Sequence, residues 1–213
     1  ENHNKITTKQ FIKLSSSLRN MKSKFSVLWL CFVCIVIFII QAFSPSFTQL
    51  FLLTDQANNG EVWRFVTAIF LHGSITHLFY NLFALFLFGF MLEKIVGTKY
   101  FLQIFFVSGT IANLVAVNYY ESSLGASGAI YGVIGALTLI RPFIPVFAFS
   151  LPMPLILASS LWVIGDILRS LGAFGPTTIG SIAHLSGIFI GIILALIIQK
   201  KECPCRNLVK KEQ

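Results

Sequence analysis

Apolar residues run along the chain in long stretches broken by short polar segments. The pattern is neither the alternation of a strand nor the one-sided stripe of a soluble helix. The first stretch, residues 25–43, contains no charged residue. A bilayer core about 30 Å thick takes roughly 20 mostly apolar residues per helix, so this stretch predicts a spanning helix. Similar runs predict helices over 75–96 and 99–117, a shorter one over 125–140, and another over 179–199. A further run is interrupted by Pro142, Pro145, Pro152 and Pro154. Proline suits a first helical turn and breaks an interior, so this helix is predicted from about Pro154 to Leu171. Residues 140–154 are then expected to form an apolar connection along the membrane surface. The fold class is an all-α membrane protein, a bundle of six transmembrane helices.

Composition sharpens this reading. Hydrophobic residues make up 55% of the 213 and charged residues 11%, with a mean hydropathy of +0.80. Soluble domains carry roughly 25% charged residues, so a water-facing surface is out of reach. The net charge of +8 would suit nucleic acid, but the charges sit at the chain ends beside hydrophobic runs. There they set topology and attract anionic lipid, and nucleic acid is not an expected partner.

With the N-terminus cytoplasmic, the arm (1–24), the 94–99 turn, Arg141 and the tail (200–213) lie inside. They hold six, two, one and five Lys or Arg, fourteen of sixteen. Both termini are therefore expected on the cytoplasmic side, with the membrane domain over 25–199. The segment 44–74, carrying Trp63 and Arg64, lies outside and suits the interface. No cleavable signal peptide, seventh span or appended domain is expected. Cys31 and Cys34 read as buried small hydrophobes. Cys203 and Cys205 have a position suited to acylation and too few neighbouring ligands for a metal. No cofactor is called for.

Ionisable and polar residues inside spans are costly, so each is a functional candidate. His77 and Asn81 fall in the first two turns of the second predicted helix, Ser127 begins the fourth, and His184 lies early in the sixth. All three helices enter from outside, so the four side chains share a depth just below the outer surface. A serine hydroxyl becomes nucleophilic when a histidine within reach takes its proton. The N–H groups at a helix start can hold an oxyanion, and His77 and Asn81, at i and i+4, can donate to the same place. Gly128, Gly132 and Gly135 on one helix, with Ala183, Gly187 and Gly191 on another, permit close approach. Tyr131, four residues after Ser127, can set its ring beneath the Ser–His pair.

Each feature alone has an ordinary explanation. Small residues pack helices, a buried histidine can bond a carbonyl, and His77 and Asn81 can bridge helices. Trp63 and Arg64 read as an interfacial anchor, His72 as interfacial or supporting, and Asp166 with Arg169 as a structural i, i+3 pair. A histidine metal site is disfavoured, because His72 and His77 lie on different faces and no carboxylate is suitably placed. What argues for function is the joint occurrence at one depth.

Glu61-Val62-Trp63-Arg64, followed by His72, His77 and Asn81, resembles the Trp-Arg loop and His-x-x-x-Asn helix of the rhomboid proteases. Gly125-Ala126-Ser127-Gly128 with Tyr131 resembles their Gly-x-Ser-Gly motif, and Ala183-His184-Leu185-Ser186-Gly187, continuing to Gly191, their Ala-His-x-x-Gly-x-x-x-Gly helix. The resemblance implies a Ser127–His184 dyad without a third acidic member. It also implies an oxyanion hole of His77, Asn81 and the Ser127 N–H, a site-shaping Gly125, and Tyr131 packed on the histidine. The implied substrates are single-pass transmembrane proteins cut near the outer face. The absence of His-Glu-x-x-His, and of a paired-aspartate motif around Asp166, argues against the zinc and aspartyl membrane proteases. The alternatives are a non-catalytic rhomboid-like binder of membrane clients and, more distantly, a transporter, for which no ionisable relay crosses the midplane.

Overall fold

The computed structural model describes residues 26–175 and 180–202, the side chains of Lys201 and Glu202 excepted. The basic arm, Cys203, Cys205 and the predicted start of the last helix at 179 lie outside the described residues. Helix α1 (Ser26–Phe43) is followed by the short α2 (Pro45–Phe51) and α3 (Arg64–Thr67). Helix α4 (Ile75–Ala84) runs through one π turn at Leu85–Gly89 into α5 (Phe90–Ala116). Then come α6 (Ser127–Ile140), strands β1 (Pro145–Ala148) and β2 (Leu151–Pro154), α7 (Leu155–Ser170) and α8 (Ser181–Glu202).

Among the described residues, four helical stretches are long and apolar enough to cross a membrane: Ser26–Phe43, Ile75–Val96, Thr98–Ala116 and Ser181–Lys200. Their outer faces carry large exposed apolar side chains such as Trp29, Phe32, Phe83 and Phe189, which water would not tolerate as one belt. The second and third predicted helices meet at Gly97, whose φ of +80° breaks α5. Beside this turn, the buried Glu93 accepts from the Thr98 hydroxyl at 2.7 Å and from the N–H groups of Ser26 and Val27 at 3.3 Å. It thus ties the first described turn of α1 to the 94–98 turn, a carboxylate satisfied by two N–H groups and a hydroxyl.

Helix α6 is the centre of the molecule, with nine of its fourteen residues buried. The reason is the small-residue pattern. A Cβ on Gly187 would overlap the Gly128 carbonyl, one on Gly191 the Gly132 carbonyl, and one on Gly135 the Ile188 carbonyl. Helices α6 and α8 therefore meet backbone on backbone, which only glycine allows. Gly132 also faces Ser108 of α5, so α6 is gripped from two sides.

The connection 140–154 carries structure that was not expected, an antiparallel hairpin pairing Pro145 with Pro154 and Ala148 with Leu151. Val146 and Ala148 face the core. Phe149 and Ser150 turn the chain with φ of +52° and +64°, left-handed values that a two-residue hairpin turn requires.

Gly191 lies well along α8 from His184, so its substitution tests the packing alone. Gly191→Val is expected to lower stability by about 1–3 kcal/mol or more, read as thermal unfolding of the detergent-purified protein. Unchanged unfolding would show that the two backbones do not touch there.

Candidate active site

Segment 44–74 is compactly folded. Arg64 is 3% exposed and donates to the carbonyls of Gln49 (2.7 Å) and Leu52 (2.6 Å) and to Gln56 Oε1 (2.9 Å), while pairing with Glu61. The interfacial-anchor reading of Arg64 therefore gives way to that of an internal clamp. An arginine fork can hold several acceptors at once, and the loop bends around it. Trp63 stays about half exposed and donates to the Leu50 carbonyl at 3.3 Å. Neither residue reaches the cleft described below.

This clamped segment holds the start of α6. Leu53 and Ser123 form a two-way bridge, and the Gly125 N–H donates to the Ala68 carbonyl at 2.9 Å. Gly125 has φ +124°, and a Cβ there would lie 2.7 Å from His77 Cε1. Backbone and imidazole thus both demand glycine. The helix then begins at Ser127, two residues later than predicted, with Ala126 at its N-cap and no side-chain cap. Its first N–H groups are left without helical partners, at the positive end of the helix.

On α4, the Ser74 hydroxyl accepts from the His77 N–H at 3.1 Å, a cap that fixes the first turn. The Asn81 amide donates to the His77 carbonyl at 2.9 Å, so one of its two N–H bonds is spent within the helix. His72 is buried behind His77, with ring centroids 5.2 Å apart, and its Nδ1 lies 3.2 Å from the Phe70 carbonyl. Burial, then the neighbouring His77, pushes the His72 imidazole down to about 4, so it stays neutral at physiological pH.

On α8, His184 lies one turn before Gly187 and hence beside the closest backbone approach. Its ring stacks on Tyr131 with centroids 4.1 Å apart and planes 10° apart. Its Nδ1 lies 3.1 Å from Asp166 Oδ2. The other Asp166 oxygen accepts from Arg169 Nη1 at 2.8 Å. Asp166, read from sequence as half of a structural pair, therefore touches the histidine. The start of α8 is pinned as well, where the Ile182 N–H donates to the Tyr120 hydroxyl at 3.0 Å.

His77, Asn81, Gly125, Ser127, Gly128, Tyr131 and His184 line one cleft of about 1000 Å³, walled deeper down by Phe88, Phe147 and Trp162. Gly187 sits behind the wall, where it admits the Gly128 backbone. Neither the Ser127 hydroxyl nor His184 Nε2 is hydrogen-bonded to a described residue. Such bonds are commonly loose in a free enzyme and tighten around substrate. Sequence reasoning missed Asp166, Tyr120, Ser74 and Phe147. Only the cap was legible, as a serine three residues before His77.

The family model described as the Rhomboid domain matches residues 59–201, and the chain belongs to the rhomboid family. With its apolar helices, this makes it an integral membrane protein. It is 29% identical over 167 residues to the protein named "Rhomboid protease GlpG" of Yersinia pseudotuberculosis serotype I (strain IP32953), a match covering 76% of this chain and 59% of that one. A protein of the same name from Yersinia pestis (strain Pestoides F) matches to the same extent. The protein of Bacillus subtilis (strain 168) named "Putative rhomboid protease YdcA" is 34% identical over 148 residues, covering 68% of this chain and 71% of that one. The chain thus spans about three fifths of the length of the GlpG relatives.

Arg64→Ala should leave the Gln49 and Leu52 carbonyls unpaired, at about 1–3 kcal/mol each, and lower the unfolding temperature. Arg64→Lys, which lacks the fork, is expected to recover only part of the loss. Full recovery by lysine would mean that charge alone matters.

Proposed function

We propose that this chain is an intramembrane serine endopeptidase that cuts single-pass transmembrane proteins near the outer face of the membrane. In this reading it is a six-helix bundle over residues 25–199, with the basic arm and tail both cytoplasmic. The observation that carries the reading is the meeting of Ser127 and His184 on one cleft, across the glycine-only contact of α6 and α8. The distribution of Lys and Arg supports the orientation. The length of α6 supports the depth: fourteen residues at about 1.5 Å each make roughly 21 Å, short of the ~30 Å hydrocarbon core. Ser127, at the outer end of α6, then lies below the surface, within reach of a bond inside a spanning helix and of water entering the cleft.

The chemistry follows from the groups present. His184 Nε2 takes the Ser127 proton as Oγ attacks the scissile carbonyl carbon. The oxygen, now negative, sits at the start of α6, where the Ser127 N–H, His77 and the remaining Asn81 N–H donate to it. The protonated imidazole gives its proton to the leaving amine. A water molecule, deprotonated by His184, then releases the acyl group and restores the serine. The matched relatives are named rhomboid proteases, which supports the reaction class.

The second reading is a binder of membrane clients that performs no chemistry. It draws on the Ser127 hydroxyl lacking a hydrogen bond to His184 in the free state.

Cleavage of a model single-span substrate by the detergent-purified protein decides between them. The parent is expected to cleave, and Ser127→Ala and His184→Ala each to lose at least about 1000-fold in rate. A folded parent that cuts none of several substrates would favour the client binder.

A further inference from the structure

Among the buried charged side chains that the proposed chemistry leaves unused, Asp166 is the one that touches the site. Its side chain is 1% exposed, and an unpaired carboxylate at such a place would be prohibitively costly. A surface pair with Arg169 at i, i+3 would be worth little, and it would not require the carboxylate to turn inward from α7 towards α8. Yet each carboxylate oxygen has its own partner: Oδ1 accepts from Arg169 Nη1 at 2.8 Å and Oδ2 lies 3.1 Å from His184 Nδ1. The Tyr131 and Ser181 hydroxyls lie close to the same group.

We infer that Asp166 is a positioning residue for His184, converting the Ser–His pair into a Ser–His–Asp arrangement whose third member is held by Arg169. The inference rests on the protease reading for its catalytic consequence, though not for its geometry. An ionised carboxylate is an acceptor only. At 3.1 Å it therefore requires the proton on Nδ1, which leaves Nε2 bare as the base facing the cleft. When Nε2 takes the serine proton, the carboxylate stabilises the imidazolium without itself becoming protonated. Stacking on Tyr131 fixes the plane of the ring, while Asp166 fixes which edge points to Ser127. Arg169 has a distinct part. By demanding an acceptor at Oδ1, it prevents the carboxylate from turning away, and it prevents an amide at this position from presenting its oxygen to the histidine.

That last point makes Asp166→Asn informative. With Arg169 holding the amide oxygen, the NH₂ group faces Nδ1, which must then accept. The proton moves to Nε2 and the base is blocked. The expected result is a fall in kcat of about 100-fold with KM unchanged. The other groups facing the imidazole are His77 from α4, Ser127 and Tyr131 from α6, and Arg169 beyond the carboxylate. All remain in this variant, so the split between kcat and KM is assignable to Asp166. A folded Asp166→Asn protein with parental kcat would overturn the inference.

A measurement on the unmodified protein covers the case in which the variant does not fold. In ¹⁵N-histidine-labelled protein, with the His184 signals identified by their loss in His184→Asn, the neutral ring is expected to carry its proton on Nδ1. A proton on Nε2 would overturn the inference whether or not the protein cleaves anything. Conversely, a parent with the Nδ1 proton but no cleavage or serine labelling would defeat the protease reading and leave the role of Asp166 in setting the tautomer standing.

Discussion

Everything in this molecule hangs on the contact between α6 and α8, where glycine faces peptide carbonyl with no side chain between. In a lipid-facing bundle, helices gain little from burying apolar surface, since lipid is as apolar as leucine, and association depends on close packing. The Gly187–Gly128 and Gly191–Gly132 contacts bring two backbones as near as chemistry permits. That approach sets Ser127, one residue before Gly128, and His184, one turn before Gly187, on the same cleft. A side chain at Gly187, one turn from His184, would push α8 off the start of α6 and hold the proposed nucleophile and base apart.

Around this contact, the remaining elements solve a single problem, which is how to keep polar groups in an apolar setting. Arg64 is satisfied by two carbonyls and two side chains, Glu93 by two N–H groups and a hydroxyl, Asn113 by the Phe65 carbonyl at 2.9 Å, and Asp166 by Arg169 and His184. Each buried polar group so paired avoids a penalty of several kcal/mol. At the cleft, the Ser127 hydroxyl and His184 Nε2 have no hydrogen-bond partner among the described residues, and the first N–H groups of α6 have no helical one. These are the groups a substrate carbonyl would engage. Segment 44–74, folded around Arg64 and tied to the α6 start through Leu53–Ser123 and Gly125–Ala68, holds that helix start in place.

The sequence made the core of this legible for a physical reason. Polar and ionisable residues are costly inside spans, so a serine at a helix start and histidines near the ends of apolar runs, beside small residues spaced by four, pointed jointly to one place. What stayed hidden depended on how loops fold. Asp166 and His184 are joined by a connection whose path no periodicity reports, and the i, i+3 pairing with Arg169 already offered Asp166 an adequate partner. Arg64 looked interfacial because nothing local reveals that the chain wraps around it. The hairpin at 145–154 was obscured because its turn, Phe149-Ser150, lacks the glycine or asparagine that normally marks left-handed positions, and its prolines read only as helix breakers.

The most direct measurement is reaction of the folded protein with a serine-directed fluorophosphonate, with the adduct located by mass spectrometry. If the glycine contact brings a working nucleophile to its base, the adduct forms on Ser127 and fails to form in His184→Ala. Labelling of His184→Ala at the parental rate, or no adduct on a parent shown to be folded, would contradict the account.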